Sequence, residues 1–224
     1  MKEIEVVQNV LEANDSIAAR NREVLDRNGV FAINLMSAPG AGKTSLILRT
    51  IDALKGSLRT GVVEGDVASS IDSDKLRGRA DAVIQITTRY MPESCSLIAH
   101  MLDQVLTRLP LKELDLLIIE NVGNLICPSE FALGEHRRVV ISSLPEGDDK
   151  PIKYPIIFAD ADVVLLNKMD FLPYVEFDVH SFQKAIAKLN PRVEIVPISC
   201  KTGEGIDRWC EWLVREARAR GQTG

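Results

Sequence analysis

The stretch Phe31-Ala32-Ile33-Asn34-Leu35-Met36-Ser37-Ala38-Pro39-Gly40-Ala41-Gly42-Lys43-Thr44 decides the fold of this chain. It begins as an apolar, strand-like segment and breaks into a glycine-rich loop, after which the apolar residues resume as a helix. Strand, loop and helix in this order form a phosphate-binding loop, whose backbone N–H groups surround phosphate oxygens at the start of the helix. The stretch therefore predicts a nucleotide-binding α/β domain.

The loop supplies the residue types that a nucleoside triphosphate needs. Lys43 can reach the β- and γ-phosphates, and the hydroxyl group of Thr44 can ligate Mg²⁺. Ser37 stands where the usual pattern has its first glycine, so a glycine-rich turn with a chance lysine is the alternative interpretation. The flanking strand and helix argue against it. The expected contacts to the nucleotide come from Gly40, Ala41, Gly42, Lys43, Thr44 and Ser45.

Size and composition are typical of a globular protein with one core. The chain has 224 residues, of which 46% are hydrophobic and 26% charged, and its formal net charge is -5. This length predicts a single domain over residues 1–224, with residues 1–30 as an N-terminal helical leader. Because the charge is mildly acidic and no basic run is present, we expect no nucleic acid partner.

No segment has the uninterrupted apolar length of a membrane span, and the first residues lack the apolar core of a signal peptide. We therefore expect no membrane insertion and a cytoplasmic protein. In that compartment the four cysteines, Cys95, Cys127, Cys200 and Cys210, are expected to be free thiols or metal ligands rather than disulfides.

Strand-like and helical segments alternate along the rest of the chain. Residues 3–28 read as an amphipathic helix that ends at Asn28-Gly29. The predicted strands are 31–36, 59–64, 82–86, 114–119, 139–143, 162–166 and 193–198, and further helices are expected over 45–55, 95–109, 178–189 and 205–218. Residues 66–79 are expected to form a loop or short helix, and residues 145–151 a polar loop. This pattern predicts a P-loop NTPase fold, with a mainly parallel, twisted sheet of about seven strands and helices on both faces.

Two acidic residues follow apolar strands. Asp66 comes after the second predicted strand and Glu120 after the fourth, and parallel strands place ligands at their carboxyl ends. We predict that both carboxylates help Thr44 to hold Mg²⁺, and that Lys43, Asp66 and Glu120 form the catalytic set. A turn-capping role is the alternative for Asp66. Gly123 can offer its backbone N–H to the γ-phosphate, which makes residues 120–128 a sensor of the nucleotide state.

The segment Asn167-Lys168-Met169-Asp170 fits the N-K-x-D pattern that reads guanine. Asp170 can accept hydrogen bonds from the guanine N1–H and amino group, Lys168 can cover the base, and Asn167 can brace the loop. A surface turn is the alternative interpretation. Ser199, Cys200 and Lys201 follow the last predicted strand and are expected to form a further base-facing loop. The predicted ligand is GTP or GDP.

Taken together, four segments resemble the HypB family of hydrogenase maturation GTPases. They are Ser37 to Thr44, Glu120-Asn121-Val122-Gly123-Asn124-Leu125-Ile126-Cys127-Pro128, Glu146 to Lys150, and Asn167 to Asp170. The resemblance implies a SIMIBI-class GTPase that forms a homodimer on GTP binding. It also implies a role in nickel delivery to the large subunit of [NiFe]-hydrogenase, alongside a HypA-type accessory protein, and a lysine, Lys153, that reaches the guanine of the partner subunit. Urease accessory GTPases are related but carry a different sequence at 120–128.

The same resemblance implies a metal site at the dimer interface, built from a Cys-His pair and the cysteine of the Cys-Pro dipeptide. Cys95 and Cys127 occupy the cysteine positions, but Ser96 stands where the histidine is expected and His100 lies further on. Two copies of Cys95 and Cys127 can supply four thiolates for Ni²⁺ or Zn²⁺, with His100 in reserve. Ordinary buried cysteines are the alternative. Cys95 at the start of the predicted helix is expected to have a lowered pKa.

The predicted function is that of a GTP-hydrolysing metallochaperone or switch in nickel insertion. Turnover is expected to be slow, as in switch GTPases that lack a supplied arginine. Because no glutamine is placed to orient the attacking water, Asp66 is nominated for that role. Competing hypotheses are a P-loop kinase or other ATP-dependent enzyme, a urease-type nickel accessory GTPase, and a metal-binding scaffold with a structural nucleotide site.

Overall fold

The computed structural model describes residues 4–66, 75–87 and 95–221, and its strands form one sheet with all pairings parallel. The seven strands lie in the order β3-β2-β4-β1-β5-β6-β7. Their bounds are β1 Phe31–Ser37, β2 Thr60–Asp66, β3 Ala82–Thr87, β4 Leu116–Glu120, β5 Arg137–Ser143, β6 Val163–Asn167 and β7 Glu194–Pro197. The predicted parallel sheet and its strands are confirmed.

Helices flank the sheet. Among the described residues, the α-helices with defined bounds are α1 Ile4–Arg27, α2 Lys43–Leu54, α3 Ala99–Leu106, α4 Cys127–Glu130, α5 Lys150–Lys153, α6 Pro155–Ala159, α7 Val179–Leu189 and α8 Ile206–Gly221. Short 3₁₀ segments cover Leu111–Glu113, Leu144–Glu146 and Met169–Tyr174. Among the described residues, no helix is both long and apolar enough to cross a membrane.

The core explains why the central strands read as continuous apolar runs. Every residue of β1, β4 and β6 is buried, because helices cover the sheet on both faces. Side chains of β1 contribute alternately to the two layers: Phe31, Ile33 and Leu35 pack in the cluster that includes α2 and α8. Ala32 packs on the other face, in the cluster that includes α3 and the end of α1. Because β1 is a central strand of the parallel sheet, the loop that follows it lies at the carboxyl edge of the sheet.

The N-terminal helix is fastened to the domain by two buried asparagines. Asn14 donates to the carbonyl oxygen of Ala132 at 2.8 Å and accepts from the N–H of Ala99 at 3.0 Å. Asn21 donates to the carbonyl oxygens of Ala99 and Leu133, at 2.9 and 2.8 Å. Because these bonds satisfy backbone groups inside the protein, α1 is packed as an integral element of the fold.

Some local predictions were wrong. α3 begins at Ala99 rather than at Cys95, so Cys95 lies before the helix. The predicted polar loop at 145–151 contains part of a 3₁₀ turn and the start of α5, since Pro151 and Pro155 suit the first turns of α5 and α6. The predicted loop or short helix at 66–79 falls largely on residues 67–74, which lie outside the described residues.

Candidate nucleotide-binding site

The phosphate loop connects β1 to α2 and depends on two glycines with positive φ. Gly40 has φ 78°, and Gly42, the N-cap of α2, has φ 105°. A Cβ atom at Gly42 would lie 2.5 Å from Nδ2 of Asn167, so a side chain there is excluded by space as well as by backbone conformation. The loop therefore turns its backbone toward the N-terminus of α2, where N–H groups can bind an anion.

The serine that departs from the usual pattern contacts the loop lysine. Ser37 is fully buried at the end of β1, and its Oγ accepts a hydrogen bond from Nζ of Lys43 at 3.1 Å. The Ser37 hydroxyl donates in turn to the carbonyl oxygen of Ala38 at 2.7 Å. Ser37 thus helps to orient Lys43 at the cavity wall, which is a role that glycine could not fill.

A cavity of about 490 Å³ opens beside the phosphate loop. The hydroxyl group of Thr44 donates to Oε1 of Glu120 at 3.2 Å across this cavity, which joins the start of α2 to the end of β4. The lining residues are Pro39, Gly40, Gly42, Lys43, Thr44, Ser45, Leu48, Glu64, Gly65, Lys75, Glu120, Asn121 and Gly123. The structure therefore brings together most of the residues predicted to surround the phosphates.

Sequence reasoning missed two charged residues of this cavity. Glu64, within β2, is the Cα register partner of Glu120, and Lys75 enters from the segment before β3. The one signal for Glu64 was an acidic residue directly after Val62 and Val63, at the end of the predicted strand. Asp66, which was predicted instead, is the last residue of β2, and its side chain lies outside the described part of the structure.

The donor set of the cavity fits Mg²⁺. Thr44 offers a hydroxyl oxygen, and Glu64 and Glu120 offer carboxylate oxygens, which are the hard donors that this ion takes in proteins. Lys43 in the same cavity has the charge that β- and γ-phosphates require.

The sensor segment after β4 touches the phosphate loop. A Cβ atom at Gly123 would lie 3.2 Å from Cα of Pro39, so only a glycine lets the two backbones come this close without displacement. Asn121 is fully buried, and its Oδ1 accepts from the N–H groups of Leu97 and Val122, at 3.0 and 2.9 Å. Residues 121–123 are thereby held between the loop and the segment that precedes α3.

A second cavity, of about 260 Å³, shares Gly42 and Ser45 with the first. Its other lining residues are Asn167, Lys168, Asp170, Phe171, Cys200 and Lys201. Phe171, whose side chain is partly exposed, was not predicted, since a single aromatic residue after the N-K-x-D segment carries no pattern of its own. The shared residues make the two cavities neighbours, as the base and phosphates of one nucleotide require.

Asp170 is held as an ionised acceptor. The hydroxyl group of Ser199 donates to its Oδ1 at 2.7 Å, and Nζ of Lys201 lies 3.6 Å from its Oδ2. The pKa of the Asp170 carboxyl lies below its ordinary value, first because of the Ser199 hydrogen bond. An ionised carboxylate only accepts hydrogen bonds, so it matches the two donors on the Watson–Crick edge of guanine.

Asn167 joins three loops. Its side-chain Nδ2 donates to the carbonyl oxygen of Ala41 at 2.9 Å, while its Oδ1 accepts from the N–H groups of Lys168 and Cys200, at 2.7 and 3.2 Å. Lys168, with φ 64°, adds a hydrogen bond from Nζ to the carbonyl oxygen of Gly40 at 2.8 Å. Cys200 acts here through its backbone, because burial raises the pKa of its thiol to about 11.

A model of the CobW/HypB/UreG nucleotide-binding domain matches residues 31–197. The chain is also 43% identical over 217 residues to the hydrogenase maturation factor HypB of Rhizobium leguminosarum bv. viciae, covering 97% of this chain and 72% of that protein. This chain belongs to the HypB family. The family expectation from the sequence is confirmed, and the chain is similar to hydrogenase maturation factors.

Two solved HypB structures share the fold. The HypB of Archaeoglobus fulgidus is 39% identical, with a TM-score of 0.85 over 92% of this chain and 99% of that chain. The HypB of Helicobacter pylori in complex with nickel is 36% identical, with a TM-score of 0.87 over 92% of this chain and 96% of that chain.

The HypB resemblance predicts that one lysine, Lys153, reaches the guanine bound by a partner subunit, and this lysine lies on the surface. Lys153 ends α5, lines neither cavity, and forms an ion pair with Asp149. The pKa of the Lys153 ammonium is raised, first because of its hydrogen bond with Asp149. Ile152 and Ile156 beside it are largely exposed. Its predicted nucleotide contact stays a prediction.

The cysteines of this HypB-family chain contradict one expectation. Cys95 and Cys127 form a disulfide within the chain, while Cys200 and Cys210 are free. The N–H of Leu97 donates a hydrogen bond to Oδ1 of Asn121. The segment before α3, which contains Cys95, therefore lies next to residues 120–128, which contain Cys127. Since both sulfurs are bonded, neither cysteine titrates, and the predicted lowered pKa of Cys95 does not apply.

His100 was the reserve metal ligand. It is exposed in the first turn of α3, where Nε2 lies 2.9 Å from Nε2 of Gln104. Over residues 4–66, 75–87 and 95–221, no group of three or more His, Cys, Asp or Glu side chains is placed to hold a metal ion. A nickel or zinc site on Cys95, His100 and Cys127 therefore stays a prediction that needs ligands from elsewhere.

Proposed function

We propose that this chain is a GTPase that binds GTP with Mg²⁺, dimerises in that state and assists nickel insertion into [NiFe]-hydrogenase. One observation carries the nucleotide part: a phosphate cavity with Lys43 and Thr44 adjoins a base cavity with Asp170, and the two share Gly42 and Ser45. The HypB names of its relatives, and the nickel complex of the Helicobacter pylori protein, support the maturation part.

The residues have distinct tasks in this proposal. Lys43 and the loop N–H groups neutralise phosphate charge, which favours the developing negative charge of phosphoryl transfer. Thr44 and Glu120, with Asp66, are the proposed Mg²⁺ ligands or water-mediated partners, and the bound ion would neutralise phosphate charge. Asp66 is the proposed residue that orients the attacking water. Asp170 selects guanine, because adenine lacks the donor pair that its carboxylate accepts.

We propose that two copies of the chain enclose the nucleotides. Ile152 and Ile156 are exposed and lie close to Lys153 in the sequence, so a second copy could cover them while Lys153 reaches its guanine. A HypA-type accessory protein and the hydrogenase large subunit are the proposed further partners, and the cytoplasm the proposed location.

We propose that the nickel or zinc site forms only when the Cys95–Cys127 disulfide is reduced. Reduction of the Cys95–Cys127 disulfide by a dithiol takes up two electrons and two protons and yields two thiols, whose thiolates can bind Ni²⁺ or Zn²⁺. The described part of one chain supplies too few ligands. A second copy doubles the number of thiolates, and His100 is the proposed reserve ligand.

The nucleotide proposal is tested by competition and turnover. We expect wild type to bind GTP in preference to ATP and to hydrolyse it slowly, Lys43→Ala to lose tight triphosphate binding, and Asp170→Asn to lose the preference for GTP. Equal affinity of wild type for GTP and ATP would exclude the guanine assignment. Phosphate transfer to a small molecule rather than to water would favour the kinase hypothesis.

The dimer and metal proposals are tested by native mass spectrometry of reduced protein with Mg²⁺ and a non-hydrolysable GTP analogue. We expect a dimer that retains Ni²⁺ or Zn²⁺ in wild type and a dimer without metal in Cys95→Ala. A wild-type dimer that never holds metal would assign metal handling to a partner protein. A Lys43→Ala protein that still supports hydrogenase maturation in cells would favour the scaffold hypothesis.

A further inference from the structure

Glu64 lines the phosphate cavity, although no motif includes it. Within β2 it is the register partner of Glu120 in β4, and both residues line the phosphate cavity together with Lys43 and Thr44. Register partners on adjacent parallel strands lie side by side, about 4.8 Å apart in their backbones, and point to the same face. Two carboxylates therefore lie next to each other in the wall of this cavity.

Both glutamates are deeply buried, with only 3% of Glu64 and 6% of Glu120 exposed. Burial of a carboxylate is unfavourable unless opposite charge compensates it, and two adjacent carboxylates repel each other. Val62 and Val63, which precede Glu64 in the strand, are fully buried and apolar, so Glu64 follows directly on an apolar stretch. Positive charge inside the cavity would stabilise both carboxylates.

Two kinds of positive charge are available there. Lys43 and Lys75 line the cavity, and a nucleotide-bound Mg²⁺ would approach Thr44. One oxygen of Glu120 already accepts the Thr44 hydroxyl at 3.2 Å, so Glu120 orients the side chain that is predicted to ligate the ion. Glu64 lies on the far side of Glu120 from β1, because the strand order is β2-β4-β1. Of the two carboxylates in the cavity wall, Glu64 is thus on the strand further from the phosphate loop.

We propose that Glu64 is a positioning residue for nucleotide-bound Mg²⁺, which it holds, together with Glu120, through water of the ion's hydration shell. Mg²⁺ dehydrates reluctantly and keeps several waters, so carboxylates behind those waters contribute to its affinity. This inference rests on the proposed function. It assigns to the interior of β2 a task that the sequence pattern assigned to Asp66 and Glu120.

The test separates Mg²⁺ binding from nucleotide binding. A fluorescent, non-hydrolysable GTP analogue is bound first with EDTA and then with increasing Mg²⁺, in wild type and in isosteric Glu64→Gln. We expect Glu64→Gln to need about 10-fold or more Mg²⁺ for half-maximal tightening. Its affinity in EDTA should be unchanged or higher, because a negative charge near the phosphates has been removed.

Two variants serve as controls. Glu120→Gln should shift the Mg²⁺ requirement in the same direction. Glu135→Gln removes a glutamate of similar burial, 5% exposed, that lines neither nucleotide cavity, and should leave the Mg²⁺ requirement unchanged. Thermal denaturation of each variant reports whether it is folded. If Glu64→Gln does not fold, Glu64→Asp keeps the charge with a shorter reach and should give a smaller shift in the same direction.

An unchanged Mg²⁺ requirement in folded Glu64→Gln, or in Glu64→Asp where that variant is used, would overturn the inference and make Glu64 a structural counter-charge for the lysines. Failure of wild type to bind the analogue at all would instead overturn the proposed function, and this inference with it.

Discussion

Nδ2 of Asn167 donates a hydrogen bond to the carbonyl oxygen of Ala41 at 2.9 Å, which ties the base-reading loop directly to the phosphate loop. The same side chain accepts from the N–H of Cys200, in the loop after β7. Three loops that are distant in sequence thus share one buried amide, which lies between the two cavities. In the proposed function, base recognition and phosphate binding would therefore be coupled through Asn167.

Asn167→Ala should weaken binding of GDP and GTP together, by about 10-fold or more, because three backbone groups lose their partner. Isothermal titration calorimetry with both nucleotides measures the effect. Asn190→Ala is the matched control, since Asn190 also bonds two carbonyl oxygens, those of Ala159 and Ala161, but lines neither cavity. A weakened affinity for GTP only, with GDP binding intact, would contradict the coupling.

Gly42→Ala should abolish tight nucleotide binding and lower stability. Its φ of 105° costs a non-glycine residue about 1–2 kcal/mol, and the new methyl group would meet Nδ2 of Asn167 at 2.5 Å. Gly56→Ala isolates the backbone contribution, because Gly56 has φ 82° but a Cβ atom there would meet nothing within 4 Å. Urea denaturation and nucleotide titration of both variants give the comparison. Equal nucleotide affinity in the two variants would show that the contact with Asn167 is unimportant.

Guanine nucleotide affinity should be constant between about pH 5 and pH 8 as far as Asp170 is concerned. Its pKa is lowered in the folded protein, so the carboxylate needed for guanine is present above that pKa and is lost only as the pH falls through it. Ser199→Ala removes the largest cause of the lowering, and its GDP affinity should begin to fall at a higher pH than that of wild type.

Fluorescence titrations of GDP across this pH range and below it measure the difference between Ser199→Ala and wild type. Ser142→Ala, which removes another buried hydroxyl group outside both cavities, should follow the wild-type profile. Identical profiles for all three proteins would show that Ser199 does not hold the carboxylate.

The thiols should show a defined labelling pattern. Without reductant, denatured protein should take up two alkyl groups, on Cys200 and Cys210, and after reduction four. In the native protein both free thiols should react slowly with iodoacetamide at neutral pH, because burial raises each pKa to about 11. Cys95→Ser should raise the unreduced count from two to three. Mass spectrometry counts the labels, and four labels without reductant would contradict the disulfide.

The sequence by itself determined the elements and the local motifs. β1, the phosphate loop and α2 were predictable because a buried parallel strand, two glycines and an amphipathic helix each leave a short-range pattern. The Asn167 to Asp170 segment was recognisable for the same reason. The short helices α4, α5 and α6 were missed, since four or five residues are too few to show a period.

Only the tertiary structure decided which distant residues meet. The pairing of Glu64 with Glu120 follows from the placement of β2 next to β4, and strand order leaves no trace in a local pattern. The Cys95–Cys127 disulfide depends likewise on the packing of the segment before α3 against Asn121. Local composition specifies strands and loops because backbone conformation and burial are short-range requirements. Side-chain partners across the sheet are set by packing of the whole chain, which a single sequence does not display.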